Sequence, residues 1–293
     1  MNAIRSVAQR PTRRAMPHSS VAPTTKPVTL VAVRPNQGVE AAYRRRLVRL
    51  IDLMQASLGY WLRACYRANE PELAGDGASN VAQDASPAMT LRRTIVKLAR
   101  RWQRRFDEIS PTLAQQFAGS AMGRADAAFQ SSLSRAGFAV DFRLTREAND
   151  ALQATIGENV GLIRSIAAEH LADVEGAVMR SVQPGRDLGG LTDELRERYA
   201  LTRKRAAFIA RDQNSKATAT VVRVRQEGLG ITEAIWMHSH GGRHPRPSHR
   251  AADGKRYTIN EGMHLDGVWT RPGSEPNFGC VSRSVIPGLG NTR

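Results

Sequence analysis

The sequence predicts an α+β protein: a mainly helical N-terminal and central body carrying a small C-terminal α+β module of short strands. Two observations lead there. Apolar residues recur three or four apart over three long stretches, the spacing of one face of a helix. Past Gly230 that period stops, and short β-like segments alternate with Gly and Pro. Charge does not follow that boundary but gathers in the N-terminal third: residues 1–110 carry 19 Lys and Arg against 8 Asp and Glu, residues 111–230 carry 16 against 14, and residues 231–293 carry 8 against 5.

A chain of 293 residues has room for about two domains. Four regions are expected: a disordered, basic, Pro-rich arm over 1–38, a basic helical region over 39–136, a second helical region over 137–230, and the small β-containing module over 231–293. The arm holds no acid and has prolines at 11, 17, 23, 27 and 35, which break any amphipathic helix a transit peptide would need. Its few large apolar residues bury too little surface to offset the entropy of ordering.

From Val39 the residues Tyr43, Leu47, Leu50, Met54, Leu58, Trp61 and Cys65 define one long helix. Residues 69–89 read as a loop. Thr90 is the expected cap of a second helix along Leu91, Ile95, Leu98, Trp102, Phe106 and Ile109, with a new turn starting at Pro111 and weaker helix over 121–136. Thr145 is expected to cap a third helix through Val160, Ile163, Ala167, His170, Val174 and Val178, stopped by Pro184-Gly185; His170 reads as a packed residue. A short helix over Thr192–Tyr199 and a longer one from Thr202 to about Gly228 follow. The longer one shows a moderately polar face suited to packing on another domain or subunit. Strands are expected at Ala234–Met237, Lys255–Ile259, Val268–Thr270 and Val281–Ile286.

The net charge of +16 implies an acidic partner. Of 43 basic residues 38 are arginine, a ratio a GC-rich coding genome explains, though such a genome does not explain the net charge. Arg44, Arg45, Arg46 and Arg49 on the first helix and Arg93, Lys97, Arg100, Arg101, Arg104 and Arg105 on the second are the expected nucleic-acid-binding set. They suit non-specific neutralisation of phosphates on double-stranded DNA and imply no base readout. No apolar run is long enough to cross a bilayer, so no membrane partner is expected. Two cysteines, Cys65 and Cys280, are too few for a disulfide framework and fit a reducing compartment.

The stretch Ile235–Pro287 holds five of the seven histidines and two of the four tryptophans. His238, His240, His244, His249 and His264 with Cys280 raise a zinc site, but no CxxC pair is present and the spacing is not that of a finger, so no metal or other cofactor is expected. A catalytic reading uses His249 or His244 as general base with Asp253 orienting it. A helical turn capped by Ser248 and ended at Gly254 explains the same spacing without a reaction. The chain is therefore expected not to be an enzyme; a metal-dependent hydrolase, nuclease or toxin-like domain is the alternative, and a host DNA-binding protein is another.

The order of features resembles the phage Mu F-type minor head proteins, the phage head morphogenesis family. The residues that carry it are Gly190, Leu191 and Leu195; Ala206, Ile209, Ala210 and Arg211; Gly230 and Trp236; Arg246, Pro247, Ser248, His249, Asp253, Gly254 and Lys255; Pro272-Gly273; and Asn277, Cys280 and Pro287. The likeness runs from about Glu158 to Pro287, so that 137–230 is the helical part of the family's module. Two positions depart from the pattern: the family's C-R-C is here Cys280, Val281 and Ser282, and its acid after the tryptophan strand is replaced by His238, Ser239 and His240. The resemblance implies a minor head protein that joins the virion during assembly in the host cytoplasm. It also implies contact with the portal or major capsid protein and an effect on DNA packaging or delivery.

Overall fold

The computed structural model describes residues 26–68, 87–182, 187–240, 246–276 and 279–287. In chain order they form β1 (Val28–Thr29), α1 (Gln37–Ala68), α2 (Pro87–Arg135), α3 (Arg146–Val182), α4 (Leu188–Gly228), β2 (Glu233–Met237), α5 (Pro247–Ala251), β3 (Arg256–Thr258), β4 (Met263–Leu265), β5 (Val268–Thr270) and β6 (Val281–Ile286). This is the predicted α+β class.

The four long helices make an up-down-up-down bundle, as side-chain pairs along their length show. Arg46 of α1 meets Gln116 of α2 while Cys65 meets Thr94, so α1 and α2 are antiparallel. Arg164 of α3 reaches Asp107 of α2 at 3.2 Å, and Met122 and Ala125 of α2 pack on Ala148, so α2 and α3 are antiparallel as well. His170 of α3 meets Thr202 of α4, and Asn159 meets Gln213, closing the bundle in the same alternation. Leu47, Ile51, Met54 and Leu58 of α1 fill the centre with Leu91, Ile95 and Phe106 of α2, Ile163 and Ala167 of α3, and Ala206 and Ala210 of α4. Each large side chain so buried contributes about 1.5–3 kcal/mol.

Polar layers interrupt that core and fix its register. Tyr43 donates its hydroxyl to Asn159 Oδ1 at 2.9 Å, and Asn159 Nδ2 donates to Gln213 Oε1 at 2.9 Å and to the Thr155 carbonyl at 2.8 Å. One level further along, His170 Nδ1 lies 2.9 Å from Thr202 Oγ1 and Nε2 lies 3.2 Å from Gln55 Oε1. Buried donors and acceptors matched only in one alignment make helix slippage costly.

Several helix boundaries differ from those read in the sequence. Asn36 Oδ1 accepts from Val39 N at 3.1 Å and starts α1, and Thr145 Oγ1 accepts from Ala148 N at 3.3 Å as predicted for α3. The α2 helix starts at Pro87, before Thr90, since proline's fixed φ suits a first helical position. It then runs unbroken through Pro111. The carbonyl that Pro111 cannot bond is that of Asp107, and Ser110 Oγ donates to it at 3.3 Å. The two helices expected over 192–228 are one, capped by Asp187, which accepts from Gly190 N at 2.9 Å. Thr202 does not cap: its hydroxyl returns to the Arg198 carbonyl at 2.9 Å inside the helix. The polar face of α4 is turned into the chain's own bundle, with Gln213 buried, and not toward another domain. The loop expected over 69–89 falls outside the described residues up to 86 and is helix from Pro87, and the Pro184-Gly185 stop lies outside them.

The C-terminal module is an antiparallel sheet in the order β1-β6-β2-β3 with a separate β4–β5 hairpin. Its first strand comes from the other end of the chain. Val28 pairs with Ile286 and Thr29 with Val285, Leu30 N donates to the Ser284 carbonyl at 3.0 Å, and Arg283 Nε donates to the Leu30 carbonyl at 3.0 Å. Leu30 and Val33 are buried in a second core with Phe129, Leu133, Ile231, Trp236 and Cys280. The expectation of a disordered arm over 1–38 is thereby corrected for the segment from Val28 onward, which is ordered because β6 lends it partners; residues 1–25 lie outside the described ones. Of the hairpin the sequence predicts β5 and not β4, though Asp266 and Gly267, both at positive φ (51° and 83°), are the turn pair that marks a two-residue hairpin.

Because Leu30 seats the N-terminal segment on the sheet, Leu30→Ala is expected to cost about 2–4 kcal/mol. Hydrogen exchange should show β6 amides losing protection first; unchanged β6 protection would refute the strap.

Candidate functional site

Trp236, fully buried on β2, is the hub of the histidine-rich stretch. His249 and Tyr257 meet its indole edge-on at 5.2 and 5.9 Å. Its backbone N–H donates to the Lys255 carbonyl and its carbonyl accepts from Gly254 N, both at 2.8 Å. Gly254 sits at φ +76°, a conformation that favours glycine. Arg246 precedes α5 and pairs with Glu275; Pro247 opens the helix, and His249 points inward from it with Nδ1 3.9 Å from Cys280 Sγ. Pro272 and Gly273 are buried against α4: Gly273 has φ +78°, and a Cβ there would stand 2.8 Å from that of Ala219. The structure thus gathers Trp236, Arg246, Ser248, His249, Asp253, Gly254, Pro272 and Cys280 into one module.

Two sequence expectations about this turn are corrected. Ser248 does not cap it: α5 has no side-chain cap, and Ser248 Oγ instead donates to Asp266 Oδ2 at 2.7 Å, tying the turn to the β4–β5 hairpin. Asp253 does not orient His249. Its Oδ1 accepts from His238 N at 2.8 Å and its Oδ2 stands 3.1 Å from His240 Nε2.

The surroundings suit packing more than chemistry. Burial pushes the Cys280 thiol above its ordinary range, away from the thiolate a nucleophile or metal ligand requires. His238 Nδ1 accepts from His240 N at 3.0 Å, which places its proton on Nε2 when neutral. Among the described residues no three His, Cys, Asp or Glu side chains converge as metal ligands, and His244 lies outside those residues.

Burial lowers the pKa of His170, His238 and His249, so below about pH 6.5 the unfolded chain takes up protons that the folded chain refuses. Their stabilising contribution is complete above that pH and is lost as pH falls toward the folded-state values. Urea midpoints are expected to drop between pH 7.5 and pH 5, less steeply in His170→Gln than in the native chain. An identical pH slope in the two proteins would show that His170 has no part in it.

The basic residues form a second candidate site. All ten predicted nucleic-acid-binding side chains are exposed. Arg44, Arg45, Arg46 and Arg49 line an open cleft of about 840 Å³ between α1 and α4, where Arg203 and Lys204 join them. The groove on the other flank of α1, between it and α2, adds Arg124 beside Arg46. The one acid in the cleft, Asp52, accepts from the Tyr199 hydroxyl at 2.7 Å and lies 4.0 Å from Arg203 Nε. Sequence reading missed Arg203, Lys204 and Arg124, because only the antiparallel fold brings them beside the α1 run. The consecutive basic residues Arg203, Lys204 and Arg205 were the available signal.

The α2 set, Arg93, Lys97, Arg100, Arg101, Arg104 and Arg105, does not join this cleft. The pairs Arg46–Gln116 and Cys65–Thr94 place it level with the C-terminal half of α1. At 1.5 Å per residue this is roughly 20 Å along the bundle from Arg46. The sequence-predicted set is therefore two sites.

Over 137 residues the chain is 34% identical to an uncharacterized protein of Haemophilus influenzae; the match takes in 47% of this chain and 30% of that protein, so it spans less than a third of the relative. No solved structure matches. From the last third of α3 to β6, residues 172–283, the chain matches the model of a family described as Phage Mu protein F like protein.

Proposed function

We propose that this chain is a phage minor head protein that takes part in head morphogenesis, sits at the portal or on the capsid interior, and affects DNA packaging or delivery. The observation that carries the reading is the family match over residues 172–283, a stretch that includes the module packed around Trp236. That module presents a docking feature: on the β4–β5 hairpin Val268 and Trp269 are 54% and 63% exposed, with His264 against the Trp269 ring at 5.5 Å. Large exposed apolar side chains on a hydrogen-bonded hairpin suit contact with a portal or capsid protein. No helix among the described residues is long and apolar enough to cross a membrane.

The cleft between α1 and α4 is the surface for double-stranded DNA. Arg44, Arg45, Arg46, Arg49, Arg203 and Lys204 converge on it with one carboxylate among them, an arrangement that neutralises a phosphate backbone without reading bases. The hydrolase alternative finds no support in the described geometry, where Asp253 is engaged elsewhere and Cys280 is buried as a thiol.

Quantitative mass spectrometry of purified heads is expected to find the protein in few copies, and Val268→Ser with Trp269→Ser to deplete it several-fold. Heads lacking the native protein would defeat the assembly reading. Separately, the purified chain is expected to retain duplex DNA of unrelated sequences at low ionic strength. Arg45→Glu, Arg49→Glu and Lys204→Glu together should lower affinity by tenfold or more and flatten the salt slope by about one per lost phosphate contact. Equal retention by the variant would remove the cleft from DNA binding.

A further inference from the structure

A pocket of about 180 Å³ lies at the joint between the bundle and the C-terminal module, and strand register explains its walls. Trp236 pairs with Ser282, and Ala234 pairs with both Ser284 and Tyr257; residues opposite one another on neighbouring strands share a face of the sheet. That face is turned to α4, because Gln226 Nε2 donates to Ser282 Oγ at 3.0 Å and to Ser284 Oγ at 2.8 Å. Ala219, Thr220 and Arg223, within two turns before Gln226, form the helical wall. The turn after β5 closes the third side with Arg271, Pro272 and Ser274. Gly273 lets that turn lie against the helix, since a Cβ there would stand 2.8 Å from that of Ala219.

The hydrogen bonds at these walls leave donors without acceptors. Ser282 Oγ accepts from Gln226 and, at 2.7 Å, from the Tyr257 hydroxyl, which occupies both of its lone pairs. Burial pushes the Tyr257 hydroxyl up to about 12, so it stays a donor at neutral pH. Among the described residues no group accepts the proton of Ser282 itself. Arg271 gives Nε to the Ile259 carbonyl at 3.1 Å and Nη2 to that of Asn260, which fixes its guanidinium and leaves Nη1 uncommitted. Arg223 gives Nη1 to Glu227 Oε1 at 3.2 Å and keeps the rest of its fork. No acid is among the described residues that line the pocket, so the exposed Glu227 carboxylate offsets one of two positive charges.

We propose that this pocket binds a small free tetrahedral oxyanion of the phosphate kind, held by Arg223, Arg271 and Ser282. Two guanidinium groups and a hydroxyl with a proton to give are matched by phosphate oxygens, and such charge-assisted hydrogen bonds are the strong ones. The donors approach from α4, from the turn after β5 and from β6, an arrangement that suits a tetrahedral ion more than a flat carboxylate. Size sets the upper limit: drug-sized ligands fill pockets of about 300–1,000 Å³, and this one lies below that range. Water fits the volume, at roughly 30 Å³ a molecule, but brings no charge to answer Arg271. A bound ion touches all three walls and so fastens the C-terminal module to α4. The site depends neither on the reading as a head protein nor on DNA in the cleft between α1 and α4.

The test is calorimetric titration of the full chain with inorganic phosphate, at an ionic strength held constant with sodium chloride. A single saturable site is expected, with acetate binding far more weakly. Arg223→Gln should weaken phosphate binding about tenfold. Glu227→Gln, which releases Arg223 from its ion pair, should tighten it about twofold, a gain that misfolding cannot imitate. Phosphate should also raise the melting temperature of the native chain and leave that of Arg223→Gln unchanged. The variant with Arg45→Glu, Arg49→Glu and Lys204→Glu controls for loose attraction to the basic surface and should bind phosphate as the native chain does. No saturable binding, equal binding of acetate, equal binding by Arg223→Gln, weaker binding by Glu227→Gln, or loss in the cleft variant would each overturn the proposal.

Discussion

A buried polar clamp in the last turn of α4 sets the position of everything that follows it. Gln226 is almost wholly buried, and its amide nitrogen donates to Ser282 Oγ at 3.0 Å and Ser284 Oγ at 2.8 Å on β6. Beside it Arg225 makes two bonds of 2.8 Å to the Asp126 carboxylate on α2, donates to the Arg143 carbonyl at 2.7 Å, and lies over the Phe142 ring. Removing one partner from such a pair leaves a buried charge uncompensated, a loss of about 3–5 kcal/mol. Bundle and sheet are therefore held at one angle by specific bonds as well as by apolar contact. Gly230, at φ +69°, then turns the chain into β2, and Trp236 follows at a place the clamp has already determined.

The same constraint explains which parts of the fold were legible in the sequence. The α1 and α3 helices each bury one stripe, so a spacing of three and four identifies them, and for α3 the cap Thr145 as well. The strands β2, β5 and β6 stood out as short runs between Gly and Pro. What escaped was whatever draws its stability from elsewhere in the chain. The two-residue β1 has no signal of its own and is a strand only because β6 offers an edge to it. Continuity of α2 through Pro111 is aided by a serine hydroxyl, and the α4 face with Gln213 reads as one for another domain or subunit until Asn159 of α3 is brought to it.

The candidate sites divide along the same line. That residues near Trp236 belong together was legible from their order, but their roles were not, because Asp253 serves His238 and His240 and not the histidine four residues before it. The basic surface was legible as charge and illegible as shape. A run of arginines on one helix says nothing about which side chains another helix will bring beside it, here Arg203 and Lys204 of α4 next to Arg45 and Arg49 of α1.

Five histidines and a cysteine in one stretch invite a chemical reading; of the described ones, His238 and His249 are buried with Cys280, while His240 and His264 are exposed. A small module sandwiched between α4 and solvent has little room for large aliphatic layers, and imidazole offers a flat apolar body with two polar points. His249 meets Trp236 edge-on and reaches Cys280 with Nδ1, joining apolar and polar contact in one side chain, while Asp253 accepts from the backbone N–H of His238 and lies beside the exposed ring of His240. The consequence is acid sensitivity: burial lowers the pKa of His238 and His249 in the module as it does that of His170 in the bundle, so both parts resist a protonation that the unfolded chain accepts.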